Sequence, residues 1–285
     1  MDTAVAGTAI GPMVIAAADQ YDAHPVVRDD LAARILPTSG RLVAAATRWR
    51  PVRSALVAAT EKKIPGLWAG MLCRKRYIDD RLAAADADAV VVLGAGFDTR
   101  GCRLRHERVF EVDLPANVES KRTRLRAIFG EVPPNLSLVP IDFESQHLDE
   151  VLAQHGYRAD VRTFFVWEAV TQYLTEEAVR ATFGLLAHAP SGSELVFTFV
   201  RRDFLDGTAL FGGEAAYREF VVKRPVWKFG LLPEEVAGFV APYGWAEVEQ
   251  LGPPEFTERY IAPSGRSLVV SEIERTVRCV KVADR

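Results

Sequence analysis

Cysteine is scarce in this chain of 285 residues: Cys73, Cys102 and Cys279 are scattered, odd in number and never paired as Cys-x-x-Cys. That argues against a disulfide framework and a cysteine-bound zinc, and fits a reducing compartment, the cytoplasm. Histidine is no richer. His24, His106, His147, His155 and His188 show no His-x-x-x-His ligand spacing, so no metal is expected. Long apolar runs are missing too. Residues 4–18 are mildly apolar but broken by Gly7 and Gly11, and they follow Asp2 rather than a basic segment. They make a poor signal peptide and are too short to span a bilayer. A formal net charge of −3 supplies no field toward nucleic acid or an anionic membrane. What remains, 49% hydrophobic and 26% charged residues, suffices for the core of one soluble α/β domain with additions.

The first third reads as helical. Residues 31–36, 41–60 and 67–85 are rich in Ala, Leu and Arg and punctuated by Pro37, Pro51 and Pro65. Between Arg41 and Arg81, ten Lys/Arg stand against Glu61, Asp79 and Asp80, a local excess of ten minus three, or +7. Solvated helix faces account for this, as does an electropositive cap that attracts a carboxylate. Strands and helices then alternate. Strands are expected at 90–93, 108–112, 136–141, 163–167 and 194–200, with helices over 117–129, 147–155 and 175–188. This rhythm means right-handed βαβ crossovers and a parallel sheet. A helix at 233–241 precedes two final strands, 245–251 and 267–275. Residues 201–230 interrupt the alternation with Phe204, Phe211, Tyr217, Phe220, Trp227 and Phe229. They read either as an inserted helical pair packed into the core or as a lid facing an apolar substrate.

The most informative run is Val90-Val91-Val92-Leu93-Gly94-Ala95-Gly96-Phe97-Asp98-Thr99-Arg100. A buried strand enters a turn without side chains at Gly94 and Gly96, so a ligand can lie against the backbone. Asp98 or Thr99 then caps the next helix. The third glycine of the dinucleotide fingerprint is replaced by Thr99, and no Gly-Lys-Ser/Thr follows. Such a turn suits a nucleoside without a pyrophosphate, of which S-adenosylmethionine is the common one. Acidic residues end the neighbouring strands. Asp113 can accept the ribose hydroxyls or serve as a turn former before Pro115. Asp142, followed by Phe143, can accept the adenine amino group or cap a helix. Glu168 emerges from an apolar strand and needs a cationic partner, either a ligand ammonium or an arginine.

Together these pieces resemble the leucine carboxyl methyltransferase family, in particular its bacterial branch of S-adenosylmethionine-dependent O-methyltransferases. The matching runs are Arg74-Lys75-Arg76-Tyr77-Ile78-Asp79-Asp80, the glycine turn with Asp98-Thr99-Arg100, Glu111-Val112-Asp113-Leu114-Pro115, Ile141-Asp142-Phe143, and Trp167-Glu168-Ala169-Val170 through Glu177. The resemblance implies a class I methyltransferase (Rossmann-like) fold, a seven-stranded mostly parallel sheet with its last strand antiparallel. An amino-terminal helical cap over residues 1–86 would join a cofactor-binding core over 87–285 in one compact domain. It implies that Gly94 and Gly96 line the methionine portion of the cofactor, Asp113 the ribose, Asp142 and Phe143 the adenine, and Glu168 and Arg74 the amino-acid end. Where family members often read Asp-Pro-Leu-Ala, this chain has Asp29-Asp30-Leu31-Ala32.

An ionised carboxylate needs no general base to accept a methyl group, whereas a phenol usually does. No histidine stands in a matched motif, which tilts the expectation toward carboxyl O-methylation of a small molecule or peptide, with Arg74 and Tyr173 orienting the acceptor. The alternatives are methylation of a hydroxyl, a nicotinamide-dependent oxidoreductase, which Thr99 disfavours, and a cofactor-binding protein without turnover. Neither a nucleic acid nor a membrane is expected as a partner.

Overall fold

Eight strands form one sheet in the computed structural model, which describes residues 10–104, 106–142 and 146–283. They are β1 (Ala89–Leu93), β2 (Val109–Asp113), β3 (Leu136–Pro140), β4 (Thr163–Trp167), β5 (Glu194–Arg201), β6 (Gly230–Leu231), β7 (Trp245–Leu251) and β8 (Glu274–Lys281). Their order is β3-β2-β1-β4-β5-β8-β7, with β6 paired to β5. β1 to β5 are parallel, and β8 runs antiparallel to both β5 and β7. The two-residue β6 brings the count to eight rather than seven; its Gly230 pairs with Val200.

Period-two alternation divides the strand residues between two cores. Val90, Val92, Phe164 and Val166 face one cluster, which also takes in the amino-terminal helices Ile10–Asp19 and Leu67–Ala84. Val91, Leu93, Phe165 and Trp167 face the other, built with the Glu176–Leu186 helix. The amino-terminal helices therefore share a core with one face of the sheet. The register aligns Val92 with both Glu111 and Val166, so β1, β2 and β4 end together at one edge. Strand order reverses at β1, and such a switch point opens a crevice at the carboxyl edge.

Three expectations are corrected. The helix expected over 41–60 is two helices, Thr38–Ala46 and Arg50–Lys63, because Pro51 can open a helix but not sit inside one. The stretch expected to be helical at 233–241 is a 3₁₀ turn, Pro233–Glu235, followed by Val236–Val240. The last strand starts at Glu274, not at 267. The apolar run at 268–270 supplied the misleading signal. Val270 is spent on tertiary packing, and Ser271 N–H donates to Gly66 O at 3.1 Å. Gly66, at φ +78°, leaves no room for a side chain there, since a Cβ would lie 2.3 Å from Ser271 N. Among the described residues, no helix is long and apolar enough to cross a membrane.

Candidate functional site

The turn after β1 is open because two glycines take left-handed backbone, Gly94 at φ +69° and Gly96 at φ +47°. A Cβ on Gly94 would sit 2.4 Å from Val170 Cγ2, so the position excludes any side chain. Asp113, at the end of β2, fastens the turn from the side. Its Oδ2 accepts Gly96 N–H at 2.6 Å, while Oδ1 accepts Leu114 N–H and the Asn117 amide, each at 2.7 Å. Of the two residues expected to cap the next helix, Asp98 is the one whose side chain does so. Asp98 Oδ1 accepts Arg100 N–H at 2.6 Å, whereas the buried Thr99 hydroxyl donates to Asp29 Oδ2 at 2.6 Å.

Beneath the turn lies a relay of buried charges. Arg100, 1% exposed, donates from Nε to Asp79 at 2.6 Å and from Nη1 to Asp98 at 2.5 Å and to Glu168 at 2.7 Å. Arg74 donates from Nε to Glu168 at 2.7 Å and from Nη1 to Glu274. Lys75 pairs with Asp29 at 3.1 Å, and Arg103 bridges Asp29 and Asp79. Burial pushes the Glu168 carboxyl upward, but Arg100 and Arg74 outweigh it and hold its pKa down to about 2. Asp98 likewise lies well below the carboxylate range, because Arg100 and Lys75 overcome its burial. Glu168 thus has two arginines as cationic partners. The positive cap expected from residues 41–81 is thus neutralised at its inner end, where Arg74, Lys75 and Arg76 each face a carboxylate.

Glu168 leads into a strained link. Ala169 adopts φ +56°, rare for a residue with a Cβ, and its N–H donates to Thr198 Oγ1 at 2.8 Å. The link presses Val170 onto Gly94 and sets Tyr173 at the end of a short 3₁₀ turn, Thr171–Tyr173. Gly94, Glu168, Ala169, Val170 and Tyr173 border a cavity of about 590 Å³. Its walls include Gly94, Gly96, Asp113, Glu168, Arg74 and Tyr173, so six of the eight expected site residues come together. Asp142 does not line it. It is exposed just beyond β3, where its N–H donates to Gln146 Oε1 at 2.9 Å. Phe143 lies outside the described residues.

The cavity walls also carry apolar side chains, among them Ile64, Leu67, Met71 and Phe256, with Phe220 and Trp227 from the 201–230 segment. Phe220 and Trp227 stack at 4.8 Å between ring centres, while Phe204 of the same segment is fully buried. Phe204 thus packs as core, while Phe220 and Trp227 border the cavity. Sequence reasoning missed three wall residues. Arg100 was visible only as a letter in a motif, Glu274 lay inside the expected 267–275 strand without a role, and Gln172 gave no signal.

A family model for leucine carboxyl methyltransferase matches residues 9–187. The chain belongs to the leucine carboxyl methyltransferase family. YktD of Bacillus subtilis, whose name assigns it S-adenosyl-L-methionine-dependent methyl transfer, is 29% identical over 206 residues, covering 68% of this chain and 66% of that one. SCO7813 of Streptomyces coelicolor, assigned the same activity by name, is 28% identical over 182 residues, 61% of this chain and 62% of its own. The match thus spans slightly under two thirds of these relatives' lengths. A methyltransferase-named structure from Thermobifida fusca superposes with a TM-score of 0.58 at 16% identity, over 93% of this chain and 94% of that one. That likeness shows a shared class I methyltransferase fold.

Proposed function

We propose that this member of the leucine carboxyl methyltransferase family is an S-adenosylmethionine-dependent O-methyltransferase acting on a small, largely apolar acceptor, with a carboxylate oxygen as the nucleophile. The residues present fit the cofactor. The glycine turn leaves backbone exposed, Asp113 at the end of β2 would hold the ribose hydroxyls, and Arg74 with Glu168 would hold the amino-acid end. When bound, the cofactor supplies an electrophilic methyl group on a sulfonium. The protein's task is to hold an oxygen in line with that methyl, and proximity of this kind is worth about 7–11 kcal/mol.

The observation that carries the carboxylate reading is the state of the acidic groups beside the turn. Asp98 and Glu168 are locked by arginines at depressed pKa, so neither is a good proton acceptor. Among the described cavity residues there is no histidine. An acceptor that arrives ionised avoids the need for a base. Arg74, expected to grip the acceptor, has Nε and Nη1 occupied by Glu168 and Glu274, so its role here is assigned to the cofactor end. Tyr173 remains the group proposed to orient the acceptor oxygen. A second reading, transfer to a hydroxyl, draws support from Glu274, whose Oε1 is buried without a partner.

The test uses labelled S-adenosylmethionine with a panel of apolar acids and phenols. A product that releases methanol in mild base is an ester and upholds the carboxylate reading; a base-stable methyl ether overturns it. Failure to bind S-adenosylhomocysteine by calorimetry removes the whole proposal.

A further inference from the structure

The helix Arg50–Lys63 has no buried residue along its 14 positions. Leu56 and Val57 are the side chains by which it packs on the core of the amino-terminal helices. The surface it forms with the helix Thr38–Ala46 and the turn between them is apolar to a degree found nowhere else on the chain. Ten large hydrophobic side chains are exposed among the described residues, and four of them fall between positions 42 and 52: Leu42 at 68%, Val43 at 45%, Trp49 at 72% and Val52 at 37%. Scattered apolar residues on a surface are ordinary, whereas a group of them marks an interaction site.

The same stretch is basic. From Arg41 to Lys63, six Lys/Arg stand against Glu61, six minus one or +5, in a chain whose net charge is −3. Glu61 is turned to another use, since its carboxylate accepts Gly66 N–H at 2.6 Å and Trp68 N–H at 3.3 Å. Among the described residues none of the six cations has a carboxylate partner. The outer end of the basic cap is therefore not neutralised as its inner end is at Arg74, Lys75 and Arg76, and the overall charge averages it away. The surface also runs up to the cavity, because the exposed Lys63 and the buried Ile64 after it are both wall residues.

Cations and hydrocarbon alternate here residue by residue, in Arg41-Leu42-Val43, Arg48-Trp49-Arg50 and Val52-Arg53. A partner that satisfies both must offer anions beside hydrocarbon. Nucleic acid offers phosphates and gives exposed Leu and Val nothing. A second copy of this face would set +5 against +5. An anionic bilayer carries its charged headgroups directly above acyl chains, and indole rings settle at that boundary. We propose that residues 41–63 form a docking surface for an anionic membrane, with the arginines on lipid headgroups and Trp49 and Leu42 set between them. The contact is peripheral, and it stands independently of the methyl-transfer reading.

The test centrifuges the whole protein, without cofactor, with vesicles of phosphatidylcholine alone or mixed with phosphatidylglycerol. Binding to the mixed vesicles is expected to be about 10-fold stronger or more, to weaken as salt rises, and to shift tryptophan emission to the blue. Arg48→Ala combined with Arg50→Ala should weaken it about 30-fold, the loss of two cations near an anionic surface. Trp49→Ala should weaken it about 10-fold and reduce the emission shift. Trp49 makes no side-chain cap bond to the helix it precedes, so both variants should keep the wild-type urea midpoint, which checks their folding. Equal binding to the two kinds of vesicle, or none to either, overturns the proposal. So does binding that both variants retain in full, which places the contact on another face. Binding that falls with the arginines but is unchanged in Trp49→Ala, emission shift included, overturns it in favour of a purely ionic contact. A dimer that Trp49→Ala dissolves, with no vesicle bound, assigns the face to a second copy instead. Failure of S-adenosylhomocysteine to bind leaves every one of these readouts in place and bears on the methyl-transfer reading alone.

Discussion

Replacing Glu168 by Gln removes one charge from the relay under the glycine turn, and the structure sets the size and pH dependence of the loss. The carboxyl falls from 4.5 in the unfolded chain to about 2 in the fold, first against burial and then through Arg100 and Arg74. A folded pKa below the unfolded one stabilises above the unfolded value, and that stability is lost as pH falls toward the folded one. At neutral pH the difference corresponds to about 3 kcal/mol, and at pH 3 only about 1 kcal/mol of it remains. Glu168→Gln should therefore lower stability clearly at pH 7, by less than the full amount because Arg100 keeps Asp98 and Asp79 and Arg74 keeps Glu274. The gap to wild type should narrow by more than half at pH 3. Urea unfolding of both proteins at pH 7, 5 and 3, without cofactor, reads this directly. A gap that stays constant from pH 7 to pH 3 would refute the assignment of Glu168 as an ionised partner of the two arginines.

Asp113→Ala should weaken S-adenosylhomocysteine binding by about 1.5–3 kcal/mol and also lower the melting temperature, because Gly96, Leu114 and Asn117 lose their common acceptor; unchanged calorimetric affinity in a folded variant would reject the ribose role. Gly94→Ala combines a left-handed backbone, costing about 1–2 kcal/mol, with a Cβ 2.4 Å from Val170, so its denaturation midpoint should drop, and wild-type stability would contradict the geometry. The buried pair Glu111–Lys121, 2.5 Å apart but not in hydrogen-bond alignment, is a further test. Glu111→Leu alone should cost about 3–5 kcal/mol by stranding Lys121, and adding Lys121→Met should recover most of it. Burial raises the Glu111 pKa to about 7, so the wild type loses this group's contribution as pH rises from 4.5 through 7, and the double variant should gain on it over that window in urea titrations. Tyr173→Phe should lower kcat while leaving cofactor affinity unchanged, and normal turnover would remove Tyr173 from the acceptor's surroundings.

What was legible in the sequence follows from which interactions are local. The first four strands are short, mostly apolar runs soon followed by a glycine or an acid, and each of the first five was placed to within about a residue of its observed ends. The turn chemistry of Gly94–Gly96 is local as well. The last strand was not legible, because its outer positions are polar and its partners come from strands laid down far earlier in the chain. Arg278 of that strand is matched by Glu194, 84 positions away, a fit no window of sequence displays. The relay was hidden for the same reason. Arg74 reads as one more basic residue of a helix until the fold sets it against Glu168, 94 positions away, and Glu274, 200 positions away.

That last separation bears on how the molecule is made. β8 is inserted between β5 and β7, so during synthesis one edge of β5, with the buried Phe197 and Phe199, stays uncovered until residues 274–281 leave the ribosome. Non-local pairing of this kind closes late and leaves an aggregation-prone intermediate in the meantime. Glu274, the first residue of the closing strand, is also the partner of Arg74. Arg74 therefore gains its second carboxylate only when the sheet is complete, and a nascent protein stalled short of β8 would keep an adhesive edge.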